Sequence, residues 1–102
     1  MKIYISGKIT GDSDYKGKFA RAEEKLKAAG HVVMNPAILP DGFEYDEYMR
    51  IRLVMLDVCD AIYLLTDWIQ SEGARKEYNH AMWVGKNAIF EEKEEGTKEQ
   101  QE

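Results

Sequence analysis

The segment Ser71-Glu72-Gly73-Ala74-Arg75-Lys76-Glu77 concentrates the residue types that could do chemistry. In a helix beginning near Ala74, the inward stripe runs Ala74, Tyr78, Ala81, Met82 and Gly85, and Glu77 falls inside it, three residues after Ala74 and four before Ala81. A carboxylate on the inward side of a first helical turn is costly unless it works or is paired. The helix macrodipole also favours an acid there for structural reasons, and spacing alone leaves the two explanations level. Just before it, Ser71 can cap the helix and Gly73 lets a ligand approach backbone N–H groups, which together make an anion site. The same pair also reads as an ordinary N-cap with a flexible neighbour.

Other candidates carry less. Tyr4 stands between Ile3 and Ile5 in a short apolar run, where most tyrosines pack and find one partner for the hydroxyl. The loop Ser6-Gly7-Lys8-Ile9-Thr10-Gly11 resembles a phosphate cradle only loosely. It is neither a Walker loop nor GxGxxG, so triphosphates and dinucleotides are not indicated. Trp68 could stack on a base or cap the edge of a sheet. His31, His80 and Cys59 have no metal-ligand spacing, so no metal or cofactor is expected.

These residues need elements to position them. KIYIS (2–6) reads as a buried first strand, 15–29 as a helix closed by Gly30, and HVVMNP (31–36) as a second strand stopped by Pro36. A helix over 45–58 follows, then a third strand AIYLL (61–65) opened by Asp60, a helix from Ala74 to about Val84, and a fourth strand NAIF (87–90). Strands alternating with helices, and no hairpin turn, predict a parallel sheet with right-handed crossovers. The expected architecture is a three-layer, doubly wound α/β domain with strand order 2-1-3-4. Its ligands should bind at the carboxyl ends of the strands, near the loops 6–14, 35–43 and 66–73.

The 45–58 helix carries two apolar stripes, Tyr45-Met49-Leu53-Leu56 and Tyr48-Ile51-Met55-Val58. One can cover the sheet; in a chain of 102 residues the other predicts a homodimer contact, in a dimer or a dimer of dimers. The single cysteine excludes an internal disulfide. The first residues, MKIYISGKITG, lack the apolar core of a signal peptide, and no run suits a membrane span, so the expected compartment is the cytoplasm. Of the net charge of −5, the last twelve residues carry −4, from six Glu against two Lys, so no basic stripe for duplex nucleic acid is present. The domain is expected over 1–91, and 92–102 as an acidic, solvated tail.

Together, IYISGKITG, CDAIYLLTDW and SEGARKEYNHAMWVGK resemble the nucleoside 2-deoxyribosyltransferase-like superfamily, which includes the deoxynucleoside 5′-monophosphate N-glycosidases. The likeness is greatest to a short phage and bacterial branch and spans residues 1–91. It implies that Glu77 is the nucleophile that attacks C1′ of a sugar and that Tyr4 hydrogen-bonds it. Ser71 then takes a place that is an acid in nucleoside-preferring members and a serine in monophosphate-preferring ones. Gly7, Ile9 and Gly11 fall in the loop that lines sugar and phosphate.

Such retaining chemistry ordinarily uses a second acid. In the family that acid lies eight residues before the aspartate opening strand 3, which here is Arg52. An arginine cannot be a general acid at neutral pH; it could bind phosphate or pair with Glu77 and silence it. Asp67 is the nearest substitute in sequence. The expected partner is therefore a small nucleoside or nucleotide, cleaved or transferred at its N-glycosidic bond. The rival expectation is a nucleotide-binding or sensing protein that kept the pocket and lost the acid. A third is an accessory protein acting through its double-faced helix.

Overall fold

β1 (Lys2–Ser6) buries residues on both of its faces, Ile3 and Ile5 on one and Tyr4 and Ser6 on the other, as a central strand must. The computed structural model describes residues 1–92. Along it follow α1 (Tyr15–Ala28), β2 (Val32–Met34), α2 (Tyr45–Asp57), β3 (Ala61–Leu64), α3 (Glu72–Trp83) and β4 (Asn87–Phe90). All pairings are parallel and the strand order is β2-β1-β3-β4, as the alternation of strands and helices predicts. Tyr4 stands opposite Met34 on β2 and Ile62 on β3. Residues 93–102, most of the expected acidic tail, lie outside the described residues. Among the described residues no helix is long and apolar enough to cross a membrane.

The helices divide between the faces. α1 lays Phe19, Ala22 and Leu26 on Ile3, Ile5, Ala61 and Tyr63. α2 and α3 bring Leu56 and Ala81 to the other face, against Tyr4, Ile62 and Leu64. Two helices stop by the same device. Gly30 and Gly85 take left-handed φ values of 94° and 82°. In each case the following amide, of His31 or Lys86, turns back to a helical carbonyl, that of Leu26 or Ala81. This is the Schellman closure that glycine permits.

Several boundaries differ from the expectation. β2 ends at Met34 because the Asn35 side chain accepts the Ala37 amide at 2.8 Å and starts a 3-10 turn over Pro36–Ile38. β3 ends at Leu64. α3 starts at Glu72, two residues earlier than expected, since Ser71 Oγ accepts the Ala74 amide at 3.1 Å. Gly73 is thus part of the first helical turn and does not precede it. The inward stripe of α3 ends at Ala81; Met82 is 39% exposed and Gly85 is exposed. On α2, Tyr48 and Met55 are partly covered, while the outward residues are Ile51 and Val54, with Val58 at the C-cap, exposed by 37, 62 and 52%. The exposed stripe follows a 3-4 spacing that adds Val54 and leaves out Tyr48 and Met55.

Candidate active site

Tyr4 and Ser6 are two residues apart on β1, so their side chains leave the same face. That face meets the first turns of α3, where Glu77 is 2% exposed. Tyr4 Oη donates to Glu77 Oε2 at 2.8 Å, and Ser6 Oγ donates to Oε1 at 2.6 Å. Arg52 Nη1, from α2, stands 4.0 Å from Oε2. Each carboxylate oxygen therefore has one hydroxyl donor from the strand, which fixes the plane of the group.

Burial pushes the Glu77 carboxyl above the usual carboxylate range, against the pull of the Ser6 bond, the Arg52 charge and the Tyr4 bond. Burial, and then the neighbouring Glu77, hold the Tyr4 phenol well above its ordinary value, so it remains a donor at neutral pH. The arrangement can present an oriented, desolvated carboxylate to an electrophile.

Arg52 links this carboxylate to open space. Its side chain is only 12% exposed, and its guanidinium lies over the Tyr48 ring, 5.6 Å from the centroid. It forms part of the wall of a cavity of about 270 Å³, together with Ile9 and Thr10 after β1, Asp41 and Phe43 after β2, and Tyr45 and Tyr48 on α2. Glu77 is not in that wall; Arg52 is, and its guanidinium stands 4.0 Å from the carboxylate. The 40–43 loop is held by one side chain: Tyr48 Oη donates to the Pro40 carbonyl at 2.5 Å and accepts the Phe43 amide at 3.3 Å. Gly73 matters to the same neighbourhood through packing. A β-carbon there would lie 3.4 Å from Met49 Sδ, 3.7 Å from Tyr45 Oη and 3.9 Å from Arg52 Nη1, so glycine lets α3 begin close against α2.

Of the residues singled out from sequence, Glu77, Tyr4 and Arg52 come together, and Ile9 joins Arg52 in the cavity wall. The others sit elsewhere for identifiable reasons. Gly7 lies at the end of β1, where a β-carbon would come within 2.7 Å of Leu65 Cδ1. Gly11 makes an exposed turn at φ 82°. Ser71 is occupied as the cap of α3. Asp67 accepts the Lys8 amide at 3.1 Å and pairs with Lys18, which also holds Asp12 at 2.5 Å. Its carboxylate ties the loop after β3 to the loop after β1. Trp68 packs on Tyr78, with centroids 4.8 Å apart, and near Phe90, at 6.1 Å, which makes it a cap on the β4 edge.

Three residues of the site were not singled out. Ser6 had a readable signal in its two-residue offset from Tyr4. Asp41 lies in a loop that the strand-end rule had marked. Tyr48 had been assigned to an outer stripe. Among the described residues no group of three or more His, Cys, Asp or Glu side chains is placed to hold a metal ion.

The fold is 2-deoxyribosyltransferase-like. The chain is similar to the 2-deoxyribosyltransferase of Leishmania mexicana, with a TM-score of 0.70 and 19% identity, over 87% of this chain and 62% of that one. It is also similar to the 2-deoxyribosyltransferase of the psychrotolerant bacterium Bacillus psychrosaccharolyticus, with a TM-score of 0.69 and 17% identity, over 88% of this chain and 71% of that one. The chain thus spans less than two thirds of the Leishmania protein. By sequence it belongs to the family described as Domain of unknown function (DUF4406), whose model matches residues 1–90. No curated protein matches it.

Proposed function

We propose that this chain is a cytoplasmic protein that takes a nucleoside or nucleotide into the Arg52 cavity and cleaves or transfers at its N-glycosidic bond, with Glu77 as nucleophile. One observation carries the reading: a buried carboxylate held at both oxygens by hydroxyls of the central strand, next to the wall of an open cavity. In the first step a Glu77 oxygen bonds to C1′ and the C1′–N bond breaks, its electron pair leaving with the base. Water or an acceptor base then attacks C1′ and frees Glu77, with net retention. Tyr4 and Ser6 orient the nucleophile, and Arg52 favours its charged form.

A second reading is favoured by the guanidinium itself. Arg52 lies where the cavity nears the nucleophile, and an anionic ligand such as a 5′-phosphate would draw it from Glu77. A protein with this pocket and little turnover would be a nucleotide sensor. Incubation with nucleosides and their 5′-monophosphates, with chromatography for free base and calorimetry for binding, separates the two. Release of base by the wild type and not by Glu77→Gln supports the enzyme; binding without release supports the sensor. Absence of both at millimolar ligand defeats both.

The same proposal includes a homodimer, or a dimer of dimers, through the outward stripe of α2. The expected result is a dimer by light scattering at micromolar concentration.

A further inference from the structure

Departure of the base creates a demand that Arg52 cannot meet. As the C1′–N bond breaks, the leaving ring gathers an electron pair and needs a proton. A guanidinium cannot give one at neutral pH. We infer that Asp41, on the loop between β2 and α2, is the general acid that protonates the departing heterocyclic base. This rests on the reading of Glu77 as the nucleophile.

Asp41 is the one carboxylic acid in the wall of the Arg52 cavity among the described residues. None of the other acids nearby lines that wall, and three of them are engaged. Asp12 and Asp67 share Lys18, and Glu47 accepts the Glu44 amide at 2.8 Å to close the start of α2. The loop that carries Asp41 is anchored on both sides of it. The Pro40 carbonyl and the Phe43 amide both bond to Tyr48 Oη, which leaves Asp41 and Gly42, at φ 107°, as the tip between the anchors.

The anchor also connects the two ends of the reaction. The Tyr48 ring supports the Arg52 guanidinium at 5.6 Å, and that guanidinium adjoins Glu77. A single side chain of α2 therefore sets both the cation beside the nucleophile and the loop bearing the acid. The aromatic rings of Phe43, Tyr45 and Tyr48 in the same wall give a flat heterocycle a surface to pack on.

The step balances. A Glu77 oxygen bonds to C1′, the C1′–N pair passes to the base, and the Asp41 proton moves to a ring nitrogen or carbonyl oxygen of that base. Asp41, now a carboxylate, recovers a proton from the water or acceptor base that resolves the glycosyl ester.

The test compares 2′-deoxyguanosine 5′-monophosphate with its N7-methylated form, whose base leaves neutral without a proton. Release of base above the spontaneous rate is followed for wild type, Asp41→Asn and Glu77→Gln. Asp41→Asn should lose roughly 100-fold or more on the ordinary nucleotide, the usual contribution of a general acid, and less than about tenfold on the methylated one. Asp41→Glu, which keeps a carboxylic acid on the same loop, should retain part of the activity on the ordinary nucleotide.

An Asp41→Asn variant that falls equally on both substrates, or on neither, overturns the assignment while Glu77 stands. Failure of the Glu77 reading looks different: the wild type releases neither base, or Glu77→Gln releases both. Either result removes the acid with the nucleophile.

Discussion

β1 sends Ile3 and Ile5 to one side of the sheet and Tyr4 and Ser6 to the other, and all four are buried. On the α1 side the partners are Phe19, Ala22 and Leu26, so burial itself is the stabilising event, about 1.5–3 kcal/mol for each large side chain. On the α2–α3 side the same strand meets Glu77, whose desolvation opposes folding and is offset by two hydroxyl bonds and a cation at 4.0 Å. Equal burial therefore means opposite things on the two faces. The buried polar side chain on the α1 side, Asn35, is neutral and bonded to Glu23 and the Ala37 amide, so the buried charge is confined to the α2–α3 side.

The contrast is sharpened most by removing the charge. Glu77→Gln should lower base release by roughly a thousandfold or more, with nucleotide affinity nearly unchanged, as read by single-turnover chromatography and calorimetry. Phe19→Ala should do the reverse. It should cost about 3–5 kcal/mol in urea unfolding, with activity preserved at temperatures where the variant is folded. Loss of turnover in folded Phe19→Ala would break the division between the faces.

Smaller effects concern the support of the carboxylate. Tyr4→Phe and Ser6→Ala each remove one hydrogen bond to a charged group, typically about 1.5–3 kcal/mol, so turnover should fall roughly 10- to 100-fold. Since each bond lowers the Glu77 pKa, the pH needed for full activity should move upward in both variants.

The stability of the fold should report the same group. The folded pKa of Glu77 is raised, so the folded state keeps its proton over a wider range than the unfolded chain. Below the unfolded value both states are protonated and nothing is lost. As pH climbs from there through the raised folded value, the unfolded state releases its proton first and the native state loses relative stability; beyond it the penalty is constant. Urea unfolding across pH should thus show the difference between wild type and Glu77→Gln drifting in favour of the variant. A drift in the opposite direction would show that Arg52 and the hydroxyls outweigh burial.

Much of this was legible in the sequence because the periodicities were unbroken. The apolar runs of β1 and β3, and the glycines after α1 and α3, mark strands and stops through local chemistry, and the sheet order is that of the doubly wound architecture their alternation implies. Glu77 was readable as an acid at an inward position, though spacing left its purpose open, and the pairing of Tyr4 with it came from the family resemblance and not from the periodicity. What was not readable depended on where side chains end. Asp67 reads from sequence as a substitute acid, but Lys18, 49 residues away, holds its carboxylate. Trp68 could equally stack on a base or cap the sheet edge, and the Tyr78 and Phe90 rings hold it at the edge. Asp41 gave no sign in a loop whose shape is set by a hydroxyl on α2. Ser6 could have been found, since a strand places residue i+2 beside residue i.

The smallest expected change in the folded chain, and the one that probes its outer surface, is at Val54. At 62% exposed it contributes little within one protomer, so Val54→Lys should alter urea stability by no more than about 0.5 kcal/mol in the dilute monomer. Its consequence should appear only in association. Val54 belongs with Phe43, Ile51 and Met55 to a shallow apolar groove of about 580 Å³, edged by Glu47 and Arg50. In a two-fold contact each such residue is buried twice, once from each copy, and one lysine substitution places two cations in the seam. The apolar gain must exceed the cost of lost rotational and translational freedom, so a short helical stripe gives a contact sensitive to single changes. Val54→Lys should weaken dimerisation by at least roughly tenfold in sedimentation equilibrium, whereas lysine at the exposed Lys16 edge of α1, already charged, offers no such seam. Wild-type protein that remains monomeric at micromolar concentration would remove the dimer and leave α2 as a face open to solvent.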